Sequence, residues 1–330
     1  TLLPEFNQAD VIHLHWVNQG MLSLKDIEKI LQSGKPVVWT MHDMWPVTGI
    51  CHHAQDCIRY QTQCHDCHLL YRGHKHDLSY KTFVKKQRLY KNAPITFVAC
   101  SRWLEGLAQK SILTHGHTVT NIPNPINTNL FHPTDKLAAR RKLNLPEDKR
   151  LLLFSSMKIT DKKKGIDYLV EACRLLNEMQ PDFCRELAVV VVGKESQQYA
   201  DLFPFPVYCL NYVGKEKEMP TIYNAVDLFV TPSLQENLPN TIMEAMSCGV
   251  PCVGFCIGGI PEMIDHLHNG YVARYRSAED LANGICWSLT EGDYQSLSTE
   301  ARRKVLSTYA EHVVAMKYIG IYNRITGQND

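Results

Sequence analysis

Two glutamates, Glu236 and Glu244, stand eight residues apart on either side of a Pro239-Asn240 turn. Asn240 has the chemistry of an N-cap and Thr241 opens a helical pattern, so 240–248 reads as a helix. The free N–H groups of its first turn, together with the helix dipole, suit a phosphate. Glu244 lies one turn in, on the same side as Asn240 and Thr241. Its carboxylate can accept two hydrogen bonds from a ribose diol while a phosphate rests on the helix end. Glu236, in the preceding loop, would face whatever that phosphate carries.

Other reactive side chains lie in the first third of the chain. His15 (HLHW) and His42 (WTMHDMWP) each follow a short apolar run, and His42 opens a Trp/Pro-rich loop. Beyond it comes CHHAQDCIRYQTQCHDCHLL, with Cys51, Cys57, Cys64 and Cys67. Cys64-x-x-Cys67 is half of a tetrahedral zinc site, and Cys51 and Cys57 can complete four thiolate ligands. His52, His53, His65 and His68 are spare donors. Zinc, two disulfides and metal-free thiols are all compatible with this spacing. The other eight of the 12 cysteines are scattered through apolar segments, as buried small hydrophobes are. That distribution points to a reducing, cytoplasmic compartment.

These residues need strands and helices to hold them. In the first part, strands are expected at 9–15, 36–40, 95–99 and 118–122. Helices are expected near 23–32, at 79–91 and from Ser101. After a Pro/Asn-rich stretch from Asn124 to Thr134 a second series begins. Its strands fall at 150–155, 187–192, 207–213, 227–231 and 252–255. Its helices open at Gly165, Met219 and Asn240, and later after Ser277 and Ser296, with a last helix over about 305–326. Strand, helix, strand at this spacing implies parallel sheets with helices on both faces, in two doubly wound domains. Ligands of such sheets bind beyond the carboxyl ends of the strands, where His42, Glu236 and the lysines after 150–155 fall.

Composition excludes several classes. With 330 residues, 45% hydrophobic and 21% charged, the chain is globular rather than disordered or repetitive. Thirty-five Lys+Arg against 34 Asp+Glu leave a net charge of +1, without the basic footprint of a nucleic-acid binder. No apolar run approaches the roughly 20 residues of a membrane span. The basic amphipathic stretch 79–92 reads as a solvated helix face or as a dock on anionic inner-membrane lipid.

The segment from Pro232 to Glu262 resembles the signature of retaining glycosyltransferases of family 4, which have the two-domain GT-B fold. It carries Glu236, then Glu244-Ala245-Met246, Gly249-Val250-Pro251 and Gly258-Gly259-Ile260-Pro261-Glu262. The Cys-rich loop after His42-Asp43 is similar to that of a bacterial exopolysaccharide (colanic-acid-type) branch. The resemblance implies an α/β GT-B protein with two Rossmann-like domains facing a cleft. Residues 1–133 would form the acceptor-side domain, 134–304 the nucleotide-sugar domain, and 305–330 a helix crossing back to the first domain. Against the family, the first domain lacks its opening strands and Gly-rich loop, so Thr1 reads as a processing boundary or an artificial start.

Roles follow from matching positions. Glu244 would hold the ribose, Glu236 the donor sugar, and the backbone N–H groups of Asn237 and Leu238 would support that sugar. Asn240 and Thr241 would lie at the phosphates, and Gly214 at the nucleobase pocket. Asn237 stands where the family usually has Gly. Of the family's pyrophosphate clamp, Lys164 before Gly165 matches the Lys; Lys158 is the nearest substitute for the missing Arg, with Lys162 or Lys163 as alternatives. His42 would face the donor sugar, and His15 or Asp43 the acceptor side. The implied reaction moves a hexose from a UDP- or GDP-sugar to a surface polysaccharide or lipid-linked glycan, with retention and without a catalytic metal. A structural zinc ion and peripheral contact with the inner face of the plasma membrane complete the expectation. A non-catalytic, zinc-stabilised nucleotide-sugar or glycan-binding protein is the alternative.

Overall fold

The computed structural model describes residues 3–18 and 20–327; Thr1, on which the expected boundary rests, lies outside them. The chain divides into two compact units, Thr1–Pro123 with Ala315–Asp330, and Asn124–Val314.

The first unit has a four-stranded parallel sheet, β1 (Ile12–Leu14), β2 (Val37–Met41), β3 (Ile95–Ala99) and β4 (Thr118–Asn121), in that spatial order. Val37, Trp39 and Met41 alternate into a core with Phe97, Phe83, Tyr90 and Ile27. The connecting helices start where the hydroxyls sit. Ser23 caps Leu24–Gln32 in a reciprocal capping box with Asp26, and Ser101 caps Arg102–Gln109.

The second unit has six parallel strands: β5 (Arg150–Lys158), β6 (Leu187–Lys194), β7 (Val207–Leu210), β8 (Leu228–Thr231), β9 (Cys252–Phe255) and β10 (Gly270–Ala273). Their order is β10-β9-β8-β5-β6-β7. Leu152, Phe154, Val189, Val191, Leu228 and Val230 meet helices Ile166–Met179 and Ala278–Thr290 on one face. The alternate residues Leu151, Leu153, Val190 and Phe229 are equally buried. Burial on both faces explains the unbroken apolar runs LLLF and LAVVVV. This is the doubly wound order, which reverses between β5 and β8 and opens a crevice at the carboxyl ends of those two strands.

Unit boundaries differ from 133/134 and 304/305, and hydrogen bonds give the reason. Arg302 donates to the carbonyls of Thr128 (3.1 Å) and Phe131 (2.7 Å), Ser247 Oγ donates to Phe131 O, and Ile126 N to Tyr309 O. The Pro/Asn-rich stretch thus packs as part of the second unit. The helix expected after Ser296 is Tyr294–Thr308, and the last helix, Glu311–Thr326, begins later than 305 because the chain breaks where Ala310 forms a β-bridge with Ile126. Residues 315–327 count with the first unit.

Gly165, at φ 72°, follows β5, and a Cβ there would fall 1.9 Å from the carbonyl oxygen of Pro232 after β8. Gly165→Ala is therefore expected to destabilise the protein by roughly 3 kcal/mol or more, read as a lowered urea midpoint at unchanged slope.

Candidate functional site

In the second unit the loops after β5 and β8 converge. Lys164 Nζ donates to Glu236 Oε1 at 2.6 Å, and Leu234 N donates to Lys163 O at 2.8 Å. The Glu236 loop is held from its other side by the Gly258-Gly259 turn. Gly259 N donates to Asn237 O at 2.7 Å, and a Cβ on Gly258 (φ 57°) would meet Glu236 O at 1.9 Å. Only glycine admits that approach. Asn237 and Leu238 are buried in this loop, so its backbone is fixed before any ligand arrives.

Helix Asn240–Ser247 follows at once. Its N-cap is Pro239 rather than Asn240, with no side-chain cap bond, because Asn240 already has helical geometry and its Oδ1 accepts from Asn124 Nδ2 (3.4 Å). The N–H groups of the first turn are thus not consumed by a capping side chain. Glu244, one turn on, accepts a 2.7 Å hydrogen bond at Oε2 from the fully buried Tyr223 hydroxyl. Burial raises the Glu244 carboxyl above the usual range, the Tyr223 bond opposes that, and Glu216 adds to it. Glu216 lies two residues past Gly214. Gly214 itself lies past the end of β7, beside the Tyr212 ring.

The expected cations separate. Lys164 is at Glu236, whereas Lys158 pairs with Glu195 (3.3 Å) and Lys162 with Asp167 (2.7 Å). Lys158 lies after a register shift in β5, which directs the end of that strand to β6. It therefore does not join Lys164 at Glu236.

In the first unit His42 directly follows β2. Its Nε2 is 3.2 Å from His15 Nδ1, and the two rings stack with centroids 5.5 Å apart. Burial, then the charge of His15, lowers the His42 pKa, so the ring is neutral near pH 7. Asp43 is a hub rather than a free base. Its Oδ1 accepts from Trp45 N, and its Oδ2 accepts from Trp16 Nε1 (3.0 Å) and bonds His52 Nδ1 (2.7 Å).

The loop after Asp43 is anchored by Lys86, a residue of the basic stretch 79–92 that is buried rather than solvated. It extends from helix Leu78–Tyr90, and its ammonium donates to the carbonyls of Trp45, Thr48 and Gly49 and lies 3.5 Å from the Trp45 ring centre. Burial pushes its pKa down to about 7.

Cys51, Cys57, Cys64 and Cys67 are free and line one cavity beside Tyr60 and Ser79. Burial raises the Cys51 thiol and pushes Cys64 up to about 12, so both are protonated. Among the described residues no group of three or more His, Cys, Asp or Glu side chains is arranged to hold a metal ion. The thiols form a wall of this cavity, with Cys64 Sγ accepting from Gly49 N.

Residues 148–291, which carry all six strands of the second sheet, match the family of glycosyl transferases group 1. The D-inositol 3-phosphate glycosyltransferase of Stackebrandtia nassauensis is 30% identical over 180 residues, 51% of this chain and 40% of that protein. The amylovoran biosynthesis glycosyltransferase AmsK of Erwinia amylovora is 30% identical over 187 residues, 53% of this chain and 45% of that protein. The chain thus spans less than half the length of these curated relatives. Among solved structures, Anabaena HepE in complex with UDP superposes with a TM-score of 0.71 at 16% identity, over 97% of this chain and 80% of that one. The fold is α/β of the GT-B type. No helix among the described residues is long and apolar enough to cross a membrane.

Tyr223 and Glu244 were separate residues in the sequence, and only the fold pairs them. At neutral pH the folded protein bears the cost of a buried Glu244 charge that the unfolded chain avoids. Glu244→Gln is therefore expected to raise the ligand-free melting temperature by about 2 °C or more at pH 7.5. The difference should close toward pH 4, where both states hold the proton. Differential scanning calorimetry at the two pH values measures it.

Proposed function

We propose that this chain is a retaining hexosyltransferase that uses a UDP- or GDP-sugar and a polysaccharide or lipid-linked glycan acceptor. The observation that carries the reading is the switch-point cluster, in which the Lys164–Glu236 pair and the Tyr223-braced Glu244 flank an uncapped helix start. Glu244 would accept from the ribose diol, the N–H groups of Asn240 and Thr241 would receive a phosphate, and Lys164 would turn from Glu236 to the second phosphate. Glu236, relieved of its cation, would accept from the sugar hydroxyls beside the backbone of Asn237 and Leu238. Gly214 would leave room for the base.

The reaction would need no metal, since helix N–H groups and Lys164 offset the charge on the leaving nucleotide. In a front-face displacement the departing phosphate oxygen takes the acceptor's proton, and neutral His42 supports the sugar end. The match of residues 148–291 supports group transfer, HepE holds UDP, and AmsK is named for amylovoran biosynthesis. A cytoplasmic setting with peripheral contact at the inner face of the plasma membrane fits a lipid-linked acceptor. Zinc is proposed at the cysteine cavity as a structural ion, which would draw Cys51, Cys57, Cys64 and Cys67 inward to tetrahedral distances.

A panel of UDP- and GDP-sugars, read by nucleotide release and by NMR of the product, tests the activity. One donor should turn over with its anomeric configuration kept. Glu244→Ala should lower kcat/KM for it about 100-fold, as expected for losing hydrogen bonds to a charged group. Nucleotide-sugar binding without turnover, or full activity in both Glu244→Ala and His42→Ala, overturns the assignment. Elemental analysis should find near-stoichiometric zinc, and less than about a tenth of an equivalent removes it from the reading.

A further inference from the structure

The last helix of the chain ends against the strand that leads to the histidine pair. Helix Glu311–Thr326 places Tyr318 and Tyr322 one turn apart on one side. The Tyr322 hydroxyl is 2.6 Å from His13 Nδ1, and the Tyr318 hydroxyl is 2.7 Å from Thr40 Oγ1. Thr40 Oγ1 is in turn 2.8 Å from His13 Nε2. His13, Thr40 and both tyrosines belong to the first unit, with His13 in β1 and Thr40 in the neighbouring β2.

The His13 ring therefore has a partner at each nitrogen and cannot rotate without breaking both bonds. It lies with its centroid 4.2 Å from that of His15, tilted by 32°. His15 in turn meets His42 through the Nδ1–Nε2 hydrogen bond. In that bond one nitrogen carries the hydrogen and the other accepts, so two protonated nitrogens cannot face each other there. Burial, then the charges of His15 and His42, brings His13 down to about 4, and all three rings are neutral together near pH 7. Phenol, imidazole, imidazole, imidazole thus form one column, held by a hydrogen bond, a ring contact and a second hydrogen bond.

We propose that Tyr318 and Tyr322 are positioning residues for His42, fixing its ring orientation through His13 and His15. The inference rests on the role of His42 given above. It adds that the chain's last helix is part of the machinery of transfer, because that helix fixes the ring on which the His15–His42 pair packs. A misplacement near 1 Å can cost up to about 100-fold in rate.

The test uses the full chain carrying Tyr318→Phe with Tyr322→Phe, which keeps both rings and removes both hydroxyls. Long-range 15N NMR of the histidine side chains reads the His42 ring nitrogens directly, independent of turnover. The double variant is expected to shift the His42 ring 15N resonances. It should also lower kcat about tenfold, leave the donor KM unchanged and keep the cooperative melting transition. Unchanged His42 resonances, or an unchanged kcat in an enzyme that needs His42, would overturn the proposal. If the double variant does not fold, each single Phe variant is read by the same two measurements. If His42→Ala retains full activity while the resonances move, the assigned role of His42 fails and the structural coupling stands.

Discussion

The ligand face of the second unit depends on two backbone approaches that leave no room for a side chain. At Gly165 the chain after β5 comes against Pro232 after β8, and at Gly258 the chain after β9 comes against Glu236. Each contact is glycine against a carbonyl oxygen, and together they clamp the β8 loop between its two neighbours. Its acidic side chain is therefore positioned by main chain on both sides rather than by its own rotamer preferences. Preorganisation of this kind is what electrostatic catalysis requires, because groups fixed before binding need not be ordered during reaction. The glycines of the motif thus have a mechanical explanation that owes nothing to the ligand.

The first unit uses a different device. The chain from Trp45 to Gly49 is held largely by side chains: Lys86 at the carbonyls of Trp45, Thr48 and Gly49, Tyr90 and Ser111 at those of Pro46 and Val47, and the Asp43 carboxylate at Trp45 N. Asp43 gathers Trp16, Trp45 and His52, and so ties the segments after β1 and β2 to the start of the cysteine-rich loop. Both units place their polar groups at the carboxyl ends of parallel strands. The second relies on close backbone packing, whereas the first relies on buried charge and imidazole contacts.

Much of this was legible in the sequence wherever the determining contacts are local. The alternation of apolar runs with Ser-capped helices placed nearly every strand, and the Glu236–Glu244 spacing located the crevice. What escaped has a common cause. Pro239 displaced Asn240 from the cap because proline's fixed φ suits an extended residue just ahead of the first turn. Lys158 was turned toward Glu195 by a bulge that no residue type announces. Lys86 reads as a surface charge until the carbonyls around it are known, and Tyr223 as plain core until Glu244 is placed beside it. The helix break at Ala310 comes from a bridge to Ile126, some 180 residues earlier. All are long-range effects, and periodicity carries no information about partners so distant.

Lys86 has one more consequence. Its amine is fully enclosed, and burial brings its pKa down to about 7. An enclosed neutral amine is a strong nucleophile with no reagent in reach. Acylation of Lys86 would therefore be paced by how often the loop bearing His42 lifts away from helix Leu78–Tyr90, and not by the chemistry of the amine. The residue that holds the loop down is also a built-in clock for its opening.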